Sequence, residues 1–257
     1  MNVFAYKYPA NKWRKHVILV RSPALKKHLP PTTDFKIEKL APWLKRYGSL
    51  YLKPKIGGGG KGIIRIAKWW QGPAVRYIVH TAQGKRLCTN IEQVIGVLNR
   101  YVLKEYIMQQ GIDLFQIARR PVDFRVLICK VNKTWTLFGM MGKVAAKGKH
   151  VTNYSRGGDA IRLIPALKQG LRLNEKSIEQ VINTMKTVSH QVAITLNKSY
   201  PQLTQLGIDL AIDRKHNVYI LEANSRPNFE LFREHEDPRL YERIARWMAV
   251  ERSSDVL

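Results

Sequence analysis

Apolar residues recur at helical spacing most clearly between Ser177 and Leu196, where Ile178, Val181, Ile182, Met185, Val188, Val192 and Leu196 share one face. That spacing predicts a long amphipathic helix packed on a sheet. Shorter helical patterns run from Lys12 to Val20, Phe35 to Arg46, Ile91 to Tyr101 and Arg239 to Val250, and Pro30-Pro31 breaks the chain between the first two. Elsewhere the pattern has the period of two expected of strands. Leu50-Tyr51-Leu52 and Ile63 to Ala67 flank a glycine run, and further short strands follow up to Leu87 around Gly72-Pro73 and Gln83-Gly84 turns. Asp123 to Ile128 and Thr134 to Val144 form a pair, and Ala146 to Gly158 is a polar, basic, glycine-containing loop. Leu206 to Asp213 and Asn217 to Asn224 are two apolar strands joined by the polar turn Arg214 to His216, which predicts a hairpin. Ser253 to Leu257 has the character of a frayed end.

The first of these hairpins carries chemistry. Gly57 to Gly62, in the segment KPKIGGGGKGIIRI, has almost no side chains, so its backbone N–H groups can wrap phosphate oxygens. Gly57, Gly59 and Gly62 satisfy the spacing G-x-G-x-x-G, but a dinucleotide site needs a helix after the loop, and the β-branched Ile63 to Ala67 is a strand. Lys61 does not complete a P-loop, because Gly62 follows it in place of a metal-binding Ser or Thr. A mobile flap over a nucleoside triphosphate is left, with a flexible surface turn as the plain alternative.

On the second hairpin, Glu222 and Asn224 project to one side, where Asp209 on the neighbouring strand can join them. Two carboxylates and an amide oxygen are hard ligands that suit Mg²⁺, with Mn²⁺ as an alternative ion. Solvated outward positions would be the plain reading. Asp123 and Arg125, two apart on a strand, also share a face, as a grip for phosphate or a substrate carboxylate or as a structural ion pair.

The ordered succession of segments resembles the ATP-grasp superfamily and, within it, the YheC/YheD family of endospore coat-associated proteins. The segments are Asn11-Lys12-Trp13, Leu29-Pro30-Pro31-Thr32, Tyr51-Leu52-Lys53-Pro54 before the glycine loop, Tyr106 to Ile112, Asp123-Phe124-Arg125, Thr152-Asn153-Tyr154 with Gly157-Gly158, and Gly207-Ile208-Asp209 with Glu222-Ala223-Asn224. The resemblance implies an α+β ATP-grasp fold, with nucleotide held between a small flap lobe and a larger mixed-sheet lobe. It implies one domain over 1–257, divided into an N-terminal helical segment at about 1–47, the glycine-flap lobe at 48–108 and a metal-binding lobe at 109–257. Only about 50 residues precede the flap, short for a superfamily whose enzymes often carry a further N-terminal domain.

The same resemblance assigns roles. Lys53 and Lys12 reach ATP phosphates, Gly58, Gly59, Gly60, Lys61 and Gly62 form the flap, and the strand Tyr106 to Gln109 offers backbone groups to adenine at Met108, with an amide contact from Gln109. Asp209, Glu222 and Asn224 hold the metal; Arg125, Lys143 and Asn153 serve the transferring phosphoryl group and the substrate. Lys143 stands where relatives usually have arginine, so charge is kept and bidentate geometry is lost, with Arg156 placed to compensate. The implied reaction is ligation: ATP phosphorylates a carboxylate and an amine displaces phosphate from the acyl phosphate.

Composition adds a sign and several exclusions. The 257 residues are 45% hydrophobic, enough for a sizeable core. The two cysteines, Cys88 and Cys129, are far apart, which fits a reducing, cytoplasmic setting, while the resemblance adds spore association. No apolar stretch approaches the roughly 20 residues of a transmembrane helix. A net charge of +25 attracts ATP, acidic polymers, nucleic acid or anionic membrane alike. No C₂H₂ spacing, RNP-like motif or helix-turn-helix accompanies it, so specific nucleic-acid recognition is not expected. The absence of H-x-x-x-H and G-x-S-x-G patterns speaks against zinc and serine hydrolysis. Three function classes stay open: a carboxylate–amine ligase, a catalytically silent ATP-binding or structural protein of the spore, and a polyanion- or nucleic-acid-binding module. The sequence names neither the acceptor nor the oligomeric state.

Overall fold

The structure is a computed structural model that describes residues 9–101, 103, 105–152, 154 and 157–253. Its contacts divide the described chain into two compact units, residues 11–16 with 30–113, and residues 9–10 and 17–29 with 114–253.

The first unit is a six-stranded antiparallel sheet in the order β1-β6-β2-β3-β4-β5, from β1 (Thr32–Asp34), β2 (Ser49–Pro54), β3 (Ile64–Gln71), β4 (Ala74–Thr81), β5 (Gly84–Cys88) and β6 (Tyr106–Gln110). Leu52 faces Ile64 across the glycine-loop hairpin, as the alternation predicts. Two helices, Ile37–Tyr47 and Ile91–Leu98, pack on one face. Leu40 and Leu44, one turn apart, are fully buried with Leu50, Leu52, Ile64, Ile66, Val79 and Met108. Gly48, in the left-handed region at φ 70°, ends the first helix with its N–H on the Leu44 carbonyl. Asn90 caps the second through the Gln93 N–H. Because strand side chains alternate, the helix-covered face leaves Tyr51, Lys53, Arg65, Trp69, Arg76, His80, Lys85 and Gln109 on the other side.

The second unit carries a sheet in the order β10-β9-β8-β11-β12, with β7 (Gln116–Ile117) pairing β8. Its strands are β8 (Arg120–Val131), β9 (Thr134–Val144), β10 (Asp159–Arg162), β11 (Gln205–Ile212) and β12 (Val218–Asn224). The long helix forms over Glu175–Ser199 and buries Ile178, Val181, Met185, Val188, Val192 and Leu196 against Val122, Phe124, Val126, Ile208 and Leu210. Ile182 sits at the margin, partly buried. The opposite face is divided along the strands. Leu127, Cys129 and Met141 lie under Phe232 and under Leu240, Ile244 and Met248 of the helix Pro238–Ser253. Towards the start of β8 that face turns polar, and there Asp123 and Arg125 stand.

Candidate functional site

In the sheet unit, antiparallel pairing places Thr32 opposite Gln109, Gln109 opposite Tyr51 and Lys53 opposite Ile107. Lys53 Nζ donates to Gln109 Oε1 at 2.6 Å, Gln109 Nε2 to Thr32 Oγ1 at 3.1 Å, and Thr32 Oγ1 to the Pro30 carbonyl at 2.8 Å. Lys53 and Gln109 are both buried, so this relay fixes a cation on β2, the strand entering the glycine loop, and an amide on the neighbouring β6. Tyr106–Gln110 runs between β1 and β2, and its backbone is paired on both flanks, while Met108 is fully buried in the apolar core. The strand therefore presents the Gln109 side chain, not a free backbone edge at Met108.

The glycine loop bears four residues at positive φ: Gly57 at 126°, Gly59 at 63°, Gly60 at 68° and Gly62 at 74°. A Cβ on Gly62 would lie 2.9 Å from the Tyr106 hydroxyl and 3.0 Å from Pro54, so only glycine fits at the foot of the loop. Gly58 and Lys61 are exposed. Lys12 joins this segment through its backbone N–H, which donates to the Lys55 carbonyl at 2.8 Å, and through its ammonium, which donates to the Gly57 carbonyl.

The other candidate residues meet on β8, β9, β11 and β12 of the second unit. Register puts Asp123 opposite Lys143, Arg125 opposite Asp209, and Asp209 opposite Glu222. Asp209 collects the donors: Arg125 Nε at 2.7 Å, Arg125 Nη2 at 3.2 Å, Lys143 Nζ at 2.8 Å and Asn224 Nδ2 at 3.3 Å. Lys143 also pairs with Asp123 at 3.1 Å, and Asp123 accepts from the Thr152 hydroxyl. Desolvation pulls the Asp209 carboxyl upward, but the Arg125 and Lys143 charges outweigh it and hold Asp209 well below the usual carboxylate range. Asp123 shares its one cation with Asp209. Burial therefore dominates and pushes Asp123 up to about 6, against the pull of Lys143.

On the hairpin β11–β12, Asp209 pairs with Glu222 and Gly207 with Asn224. The donor set of Asp209, Glu222 and Asn224, two carboxylates and an amide oxygen, fits a hard divalent cation. Among the described residues no group of three or more His, Cys, Asp and Glu converges. Asn153 and Arg156 lie outside the described residues. Three features carry roles that the sequence reading did not assign, although Thr152 and Gly207 fall in segments that carry the resemblance. Thr152 anchors the basic loop to Asp123, and the Asn228 carbonyl accepts from Arg125 Nη1 at 3.1 Å. Gly207 is the third: a Cβ there would come within 2.6 Å of Pro227 Cβ and 3.0 Å of Arg125 Nη1, so the guanidinium lies against bare backbone.

The sequence profile of the YheC/D-like ATP-grasp family matches residues 1–249. The chain belongs to that family. Two curated relatives are similar to the chain over most of its length. The endospore coat-associated protein YheD of Bacillus subtilis is 26% identical over 230 residues, 86% of this chain and 49% of the relative. YheC of the same organism is 20% identical over 219 residues, 84% of this chain and 60% of the relative. This YheC/D-like chain thus spans about half the length of those proteins. Among solved structures it is similar in fold to D-alanyl-alanine synthetase A from Vibrio cholerae, with TM-score 0.51, 15% identity and coverage of 86% of this chain and 56% of that one. It is also similar to N5-carboxyaminoimidazole synthase from Aspergillus clavatus, solved with ADP and 5-aminoimidazole ribonucleotide, with TM-score 0.53, 9% identity and coverage of 88% and 46%. The fold is that of the ATP-grasp proteins, in an α+β arrangement of helices and antiparallel sheets. No described helix is long and apolar enough to cross a membrane.

Proposed function

We propose that this chain binds ATP with a divalent cation and uses it to activate a carboxylate for attack by an amine. The observation that carries the reading is the buried cluster Asp123, Lys143, Asp209 and Arg125, which fixes two cations beside Glu222 and Asn224 in a chain of ATP-grasp descent. In the sheet unit, Lys53 and Gln109 would contact the nucleotide, the loop Gly58 to Gly62 with Lys61 would cover its phosphates, and Lys12 would exchange the Gly57 carbonyl for a phosphate oxygen. Asp209, Glu222 and Asn224 would hold Mg²⁺ or Mn²⁺, which when bound neutralises phosphate charge.

The protein's own part is positioning and charge. A carboxylate oxygen of the substrate attacks the γ-phosphorus, the bond to the bridging oxygen breaks, and ADP leaves with that oxygen. Arg125 and Lys143 stabilise the equatorial oxygens, already oriented by Asp209 and Asp123, so little reorganisation accompanies transfer. An amine then adds to the acyl carbon, inorganic phosphate departs, and the amine loses one proton to form the amide. The names of YheD and YheC support the endospore coat as the setting. The test is ADP release in the presence of Mg²⁺, ATP and a panel of carboxylates and amines. ADP appearing only when both substrates are present supports ligation. MgATP binding with no turnover on any pair favours the silent binding protein instead.

A further inference from the structure

Residues 39–91 contain eleven Lys and Arg and no Asp or Glu, and they include all of β2 to β5. Register aligns part of this charge. Arg65 on β3 lies directly opposite His80 on β4, and His80 opposite Lys85 on β5, so three basic residues form one row across the face not covered by helices. The adjoining row is Ala67, Ile78 and Leu87, and beyond it Trp69 faces Arg76. Like charges in directly opposed positions destabilise a sheet. Among the described residues no carboxylate pairs with Arg65, Arg76 or Lys85. The His80 ring is held below its usual pKa first by burial and then by Arg65 and Lys85, which shows that the row repels a further proton. Arg76 Nε is buried without a hydrogen-bond partner. Trp69 and Leu87 remain 40% and 60% exposed.

We propose that this face binds single-stranded nucleic acid independently of its sequence, Arg65, Lys85 and Arg76 taking phosphates and Trp69 stacking on a base. Both halves of the assignment rest on complementarity. The acid-free row supplies the polyanion term, and an exposed indole among cations offers a stacking surface that an acidic polypeptide does not use. A sheet face has no helix or ribbon to enter a duplex groove, whereas unstacked bases can lie flat on it. The row continues from Arg65 through Tyr51 to Gln109, so the site borders the Lys53–Gln109 relay, but it extends beyond it over β3 to β5 and does not depend on the ligase reading.

The experiment is fluorescence anisotropy of a labelled oligothymidylate, about 20 nucleotides long so as to exceed an ordinary single-strand site. Three phosphate contacts give a log–log salt slope of about −2, at roughly 0.7 per phosphate. Trp69→Ala should weaken binding about tenfold, the loss of one base stack, and Trp69→Phe should restore most of it. Arg65→Glu with Lys85→Glu should flatten the slope by about 1.4. A duplex of the same length should compete poorly, and MgATP should not compete. The proposal is overturned if the oligonucleotide does not bind at low salt, or if Trp69→Ala and the charge reversals bind like the parent. Poly-L-glutamate binding as tightly and independently of Trp69 would make the face an acidic-polypeptide site instead. Displacement by MgATP would place the oligonucleotide in the nucleotide cradle. Melting curves of each variant distinguish lost binding from lost folding.

Discussion

Positive charge is handled in opposite ways in the two units. On β8, β9 and β11 the buried cations Arg125 and Lys143 are each held by carboxylates, with contacts of 2.7 to 3.1 Å. On β3 to β5 of the other unit, Arg65, His80 and Lys85 stand opposite one another with no acid among residues 39–91. Burial explains the first pattern, since an unpaired charge inside the protein is costly and the fold must supply its partner. Solvent permits the second, because water and salt screen the repulsion. A charge whose partner is built in is preorganised for a reaction; Arg65 and Lys85, which no described carboxylate pairs, are available to a ligand that brings its own charge.

The comparison breaks most readily at Asp209. Asp209→Ala leaves both Arg125 and Lys143 without their shared acceptor, and should cost about 3–5 kcal/mol of stability, measured by denaturant unfolding. A change under 1 kcal/mol would mean that the cluster is not buried as described. Gly207→Ala comes next. Its Cβ would crowd Pro227 and Arg125, so a loss of about 1–3 kcal/mol is expected.

A smaller effect sharpens the contrast through pH. The Asp123 carboxyl is raised from 3.8 to about 6 in the folded protein, chiefly by burial, so the native state keeps a proton that the unfolded chain gives up. Its stabilising contribution is complete below pH 3.8 and is lost as pH rises through about 6. Asp209 acts in the opposite sense, adding stability above its unfolded value and losing it only in stronger acid. Asp123→Asn should therefore flatten the fall of stability between these two pH values, followed by thermal denaturation across that range. The smallest effect belongs to the row on β3 to β5, where Arg65 and His80 are half-buried and Lys85 is exposed. Lys85→Glu, placed opposite His80, should stabilise the sheet by about 0.2–1 kcal/mol, and the gain should shrink in high salt. A destabilisation there would indicate that Lys85 makes a contact of its own.

Much of this contrast was legible in the sequence for a physical reason. Strand alternation fixes the face of every residue once pairing is known, so Asp123 and Arg125, or Glu222 and Asn224, could be grouped by spacing alone. The long helix was legible because seven apolar residues keep one period over five turns. What escaped depends on which strands become neighbours. Nothing local marks that Lys143 serves two carboxylates, that Arg125 crosses bare backbone at Gly207, or that β1 covers the flank of Tyr106–Gln110. The helix Leu163–Leu171 and strand Asp159–Arg162 also went unrecognised, being short and lacking a sustained period. The row Arg65–His80–Lys85 was hidden likewise, since its members are separated by 15 and 5 positions and meet only through register.

The most direct test of the central claim is calorimetric titration of MgATP into the parent protein and into Glu222→Gln and Asn224→Ala. The parent should bind only when Mg²⁺ is present and gain thermal stability from it, since a ligand of the native state alone raises the melting midpoint. Without nucleotide, Glu222→Gln should melt like the parent and Asn224→Ala, which loses its 3.3 Å hydrogen bond to Asp209, at most slightly lower, and both should bind MgATP at least about tenfold more weakly, because each loses one oxygen ligand or one negative charge at the cation. Unchanged affinity in both variants, or a parent protein whose melting point does not respond to saturating MgATP, would contradict the account.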